Sequence, residues 1–268
     1  MKSILNYGLW LTLFSPVAGG SAALQAEEVL TGNGVRGGQL FDNWMTVTNT
    51  AKPDTMPGED GPVTDTGHGF RCKNCHGWDY RGSDGIYGPD YKNKSYTAPV
   101  DLYLASGEPA AELRDHIING HHGMPAFGDY LSARDVEDLV AFIKQEMVDT
   151  TEIFRLSPDG NHYQLMPGGD AEAGHLFIQQ KCAICHGPDG TGILVDDGHY
   201  TLGSHSRQKA YEDHHKIAYG NPGSVMAGFT RNPQILLNVL TALCDKERYP
   251  SGGSSAKPEL ETAGCDSI

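Results

Sequence analysis

Four of the six cysteines fall into two copies of one short pattern, Cys72-Lys73-Asn74-Cys75-His76 and Cys182-Ala183-Ile184-Cys185-His186. Two thiols with two residues between them can reach the two vinyl groups on one edge of a porphyrin. The histidine that follows then sits under the iron as proximal ligand. The pattern is the attachment signature of c-type haem, so Cys72, Cys75, Cys182 and Cys185 are candidate thioether donors, with His76 and His186 as axial ligands. Zinc sites and thioredoxin-like dithiols also use Cys-x-x-Cys, but both leave the paired histidines unexplained. Two haem c groups are therefore the expected cofactors.

A six-coordinate haem needs a second axial ligand, and methionine is a common one. Two stretches align as a repeat. One runs from His116 through Gly120 and Gly123 to Met124, Pro125 and Phe127. The other runs from Lys216 through Gly220 and Gly223 to Met226 and Phe229, with two extra residues before its methionine. A helix stopped at glycine, then a loop that presents a thioether, makes Met124 and Met226 the expected distal ligands. Rival donors lie nearby: His121 and His122 beside Met124, His199, His205, His214 and His215 before Met226, and Met56 and Met166 in Met-Pro dipeptides. Most of these histidines are expected at the surface or beside haem propionates.

The elements that must position these groups read as helices. Gly38 and Phe41, followed by Trp44, match Gly174 and Phe177 before the second motif. Ser132 caps a helix with Asp135 at its third position, followed by the apolar stripe Val136, Leu139, Val140 and Ile143. Asn232-Pro233 opens an equivalent helix carrying Ile235, Leu236, Val239, Leu240 and Leu243. No stretch alternates convincingly enough for a sheet. The expected architecture is all-α, with two tandem domains that each wrap one haem among long loops.

Boundaries follow from composition. Residues 1–26 read as a signal peptide, with Lys2, an apolar run from Ile4 to Ala18, and small residues up to Ala26; an uncleaved anchor is the alternative. A first domain spans 27–150, with a Pro/Gly-rich segment at about 50–70. A linker follows at 151–168, a second domain at 169–245 and a tail at 246–268. Cys244 and Cys265 are expected to form a disulfide that pins this tail, against the alternative of Cys244 as an iron thiolate.

With 34 acidic against 20 basic residues, the formal net charge is -14. Nucleic acid is disfavoured as a partner, whereas a redox protein with a basic docking patch is compatible. Hydrophobic residues make up only 38% of the chain, which suits small domains stabilised by a cofactor.

These motifs together resemble the class I c-type cytochromes in a tandem dihaem arrangement. The resemblance covers about Gly169 to Asp245 well. The first half, about Val35 to Met147, matches at Cys72–Gly77 and Met124-Pro125 but departs in its Pro/Gly-rich insertion and in Trp78-Asp79-Tyr80. It implies an all-α carrier of single electrons between redox proteins, and the signal peptide is expected to send it to the periplasm. The alternative it leaves is a haem enzyme, or the electron-accepting subunit of an oxidoreductase, for example one acting on small sulfur compounds. Arg71 and Arg81 could bind an anion, though pairing with propionates is the plainer role.

Overall fold

In a computed structural model, residues 29–59, 61–64, 69–85, 101–156, 163–257, 261 and 265 are described. The expected signal peptide lies outside them. Nine helices and two small hairpins are found among the described residues. In chain order they are α1 (Gly34–Thr48), β1 (Thr55–Met56), β2 (Val63–Thr64), α2 (Cys72–His76), α3 (Leu102–Ala105), α4 (Ala110–Asn119) and α5 (Ala133–Ala141). These are followed by β3 (Phe154–Leu156), β4 (Tyr163–Leu165), α6 (Ala171–Lys181), α7 (Ala183–His186), α8 (Leu202–Tyr219) and α9 (Pro233–Leu243). Short 3-10 and π segments join some of them.

The helix starts are set by local chemistry. Asn33, Ser132, Asp170, Thr201 and Asn232 each accept a backbone N–H from the first turn of the helix they precede, satisfying donors that the helix leaves open. Ser132 and Asp135 form the full reciprocal capping box. The apolar stripe after it, Val136, Leu139, Val140 and Ile143, is buried.

Each half of the chain is built around one close helix crossing. A Cβ on Gly37 of α1 would lie 2.0 Å from the Asp138 carbonyl oxygen of α5, and one on Gly174 of α6 would lie 1.9 Å from that of Asn238 on α9. Only glycine lets the backbones approach this closely. This shifts the expected repeat register by one residue. Gly37, not Gly38, is the counterpart of Gly174, and four residues on, Phe41 and Ile178 occupy matching core positions at 2% and 0% exposure. Gly38 makes room for a different neighbour. A Cβ there would strike the Tyr219 ring at 2.4 Å, so its absence lets α1 meet α8 of the other half.

That seam is continuous with the rest of the core. Leu40, Phe41, Trp44, Phe142, Tyr219, Leu236 and Leu240 belong to one apolar cluster that runs through both halves. Residues 151–168, expected as a linker, contribute to it. Ile153, Phe154, Tyr163 and Leu165 are buried, the β3–β4 hairpin pairs Phe154 with Leu165, and the Tyr163 hydroxyl donates to Asp79. The expectation of no sheet is corrected by this hairpin and by β1–β2, which pairs Thr55 with Thr64 inside the Pro/Gly-rich segment. Two- and three-residue strands are too short to show alternation in sequence.

The tail is anchored as well. Cys244 and Cys265 are joined by a disulfide, so neither is a free thiolate. Arg207 and Glu261, both fully buried, form an ion pair at 2.9 Å. Arg207 also donates to the carbonyls of Leu243 and Tyr249.

Candidate functional site

Both Cys-x-x-Cys-His motifs form one short helical turn that ends on glycine. In α2, Gly77 N–H donates to the Lys73 carbonyl at 3.0 Å; in α7, Gly187 N–H donates to that of Ala183 at 2.9 Å. The two glycines take nearly the same dihedrals, φ 79 and ψ 154 against φ 78 and ψ 160. The chain then folds back alike, Tyr80 N–H to Gly77 O and Gly190 N–H to Gly187 O, each at 3.2 Å.

The two methionine loops share a backbone too. α4 ends at Gly120 (φ 80) and α8 at Gly220 (φ 90), conformations that glycine adopts without steric cost. A Cβ on either would lie 2.6 Å from the carbonyl oxygen of its methionine, Met124 or Met226. Phe127 N–H returns to Ile117 O at 2.9 Å, and Phe229 N–H returns to Ile217 O at 2.8 Å. The two extra residues of the second loop are absorbed between Asn221 and Met226 without altering this frame.

At the second motif these pieces converge on one cavity of about 470 Å³, within the range that suits a cofactor-sized molecule. Cys182, His186 and Met226 line it, between apolar walls that include Ile178, Leu202, Ile217, Val239 and Leu243. Cationic side chains, Arg71, Lys73, Lys209 and Lys216, stand on the same walls. Cys185 is exposed. Burial lowers the His186 pKa, partly offset by Asp213 and the Ile193 backbone, so the imidazole is neutral and able to ligate a metal. A lining thiol with a second exposed beside it, a neutral imidazole, a thioether and apolar walls fit a covalently bound haem, while the wall cations Lys73, Lys209 and Lys216 pair with Asp42 and Asp196.

The first motif lies in a more densely packed setting. Burial pushes the Cys72 thiol up to about 12 and the Cys75 thiol up to about 11. Cys72 and Met124 are half-buried against the apolar core. Residues 86–100, which follow this motif, lie outside the described part. Trp44 packs edge-on to Phe127 beyond Met124, with ring centroids 5.9 Å apart, and its indole N–H donates to the Phe70 carbonyl.

The rival donors sort clearly. Met56 is buried in the core at 1% exposure, and His205 lines the second cavity, bonded to Asp213 at 2.8 Å. The expected surface position is corrected for His214 and His215: both are fully buried, and the Tyr80 hydroxyl lies 2.8 Å from His215 Nδ1. Their burial depends on packing against the first half, which no pattern within α8 discloses.

One relationship is not legible in the sequence at all. Lys73, inside the first motif, lines the cavity of the second. Its ammonium lies 3.9 Å from the Trp78 ring centre and 3.9 Å from Asp42, and burial lowers its pKa to about 8.

With this geometry in view, residues 70–143 match the family model of cytochrome c oxidase, cbb3-type, subunit III. The match spans the first motif, the Met124 loop and α5, the half that departs more from the class I pattern. It supports a cytochrome c domain over these residues, which implies covalently bound haem c there and suggests electron transfer. No solved structure matches the chain.

Proposed function

We propose that the chain is a dihaem c-type cytochrome that carries single electrons between redox partners in the periplasm. The observation that carries this reading is the duplicated frame: the same backbone bonds surround Cys72–His76 with Met124 and Cys182–His186 with Met226. Haem supplies the one-electron chemistry when bound. Cys72, Cys75, Cys182 and Cys185 would hold it, and His76 with Met124, or His186 with Met226, would ligate its iron. A glycine-stopped helix and a returning phenylalanine fix the backbone on which each methionine stands.

Exposed apolar side chains accompany the second site. Ile184, within the motif, is 92% exposed and Val225, beside Met226, is 99% exposed. We read these exposed apolar groups as suited to brief association with a redox protein, and the acidic balance of the chain as favouring a partner with basic residues. The alternative of a haem enzyme, or of an electron-accepting subunit in a larger oxidoreductase, needs an exchangeable axial position at one iron.

The test is a haem count with spectra. Mass and pyridine haemochrome assay should give two covalent haems per chain. The oxidised protein should show a methionine–iron band that falls by about half in Met124→Ala and in Met226→Ala. One haem per chain, or a high-spin component in the wild type, would overturn the carrier reading.

A further inference from the structure

Three side chains gather at the outer edge of the Met124 loop, two of them from the loop itself. Glu59 comes from the Pro/Gly-rich segment, and His121 and His122 follow Gly120. One ligand atom from each lies within 4.8 Å of the other two; Glu59 and His122 are exposed and His121 is half-buried. The segment bearing Glu59 is tied to the loop by backbone, Ala126 N–H to Pro57 O at 2.7 Å. His122 has φ 44, a left-handed angle that histidine tolerates better than most residues, and its N–H donates to Glu59 Oε2 at 2.9 Å. His116 stacks on His121, with centroids 4.0 Å apart and planes 9° from parallel, and is itself 3.6 Å from Glu108. The rings of His121 and His122 are also 4.0 Å apart.

We propose that Glu59, His121 and His122 form a surface site for a borderline divalent transition-metal ion such as Zn²⁺ or Cu²⁺. Two imidazoles and one carboxylate are a donor set that such ions prefer over Mg²⁺ or Ca²⁺, which favour oxygen ligands. Tetrahedral coordination at about 2.0–2.1 Å sets ligand atoms roughly 3.4 Å apart. With the three ligand atoms within 4.8 Å of one another, side-chain rotation has at most about 1.4 Å to close to that spacing. Glu59 is fixed through the His122 N–H and the His121 ring through its stack with His116, so two of the three donors are already oriented. Three protein ligands leave a position for water. The proposal does not depend on how many haems the chain carries.

Calorimetric titration of the chelator-stripped full chain with Zn²⁺ tests it. One equivalent should bind in the wild type. It should be lost in His121→Ala and in His122→Asn, a change that keeps tolerance of the left-handed angle, and should weaken about tenfold in Glu59→Gln. His199→Gln, at a distant exposed histidine, should bind as the wild type does. With Cu²⁺, the electron paramagnetic resonance spectrum should show two nitrogen ligands, falling to one in either histidine variant. Unchanged far-ultraviolet circular dichroism and thermal unfolding in the variants check that they are folded. The site is refuted if the wild type binds no Zn²⁺ equivalent, or if His121→Ala and His122→Asn bind as tightly as the wild type.

Discussion

The Tyr80 hydroxyl meets His215 Nδ1 at 2.8 Å, where both residues have 0% exposure. His215 Nε2 lies 2.9 Å from the Gly38 carbonyl, so Nε2 carries the hydrogen and donates it, leaving Nδ1 to accept from Tyr80. This bond joins the first half, which supplies Tyr80 and Gly38, to the second, which supplies His215. Tyr80→Phe leaves a buried acceptor unpaired and should cost about 1–3 kcal/mol, read by denaturant unfolding.

The same residues set an acid limit on stability. Burial lowers His214 and His215 from 6.5 to about 3, His215 adding to the effect on His214 and the Gly38 backbone partly offsetting it on His215. Between those values the unfolded chain binds protons that the folded chain does not, so stability rises with pH across the window. It should be fully present above about pH 6.5 and decline as the pH falls toward 3. For His205 the sign is opposite: burial works to lower its pKa, Asp213 more than offsets this, and the net shift is upward. Its contribution is present below 6.5 and lost as the pH rises through the folded value. Unfolding free energies measured from pH 7 to pH 4 should slope downward with acidification, and His214→Phe should flatten that slope.

Gly37→Ala and Gly174→Ala should behave as a matched pair. Each Cβ would lie within about 2 Å of a backbone carbonyl oxygen on the facing helix, which only backbone movement relieves. A loss of at least about 1–3 kcal/mol is expected for each. Thermal unfolding of the two single variants reads it, and a neutral result at either site would mean that its helices do not cross there.

Glu261→Ala strands the buried Arg207 charge and should cost about 3–5 kcal/mol. Cys265→Ser opens the 21-residue link to Cys244 and should cost about 3 kcal/mol. Because both act by fixing the same tail, the double variant should lose less than the sum. A denaturation series over the three variants measures the coupling.

Much of the arrangement is legible in local patterns. The Ser132–Asp135 cap, the Asn232-Pro233 start and the stripe of α5 each depend on residues within one or two helical turns. So do the glycine stops before Met124 and Met226. The harder features join distant parts of the chain. Whether Gly37 or Gly38 marks the crossing depends on Asp138 and Tyr219, far away in sequence. The packing of Ile153 and Tyr163, and the burial of His214, likewise depend on partners that no local window contains. Lys73 reads as a spacer within a motif, and nothing near it in sequence points to the second cavity.

That position of Lys73 has a further consequence. A cation from one attachment turn faces the neighbouring chamber, with the Trp78 ring against both it and Lys216, and Asp42 paired with both. Any charge arriving in that chamber acts on the other turn across a single side chain instead of across water, where screening would blunt it. The two Cys-x-x-Cys-His turns therefore share a partition built of Lys73, Trp78 and Lys216.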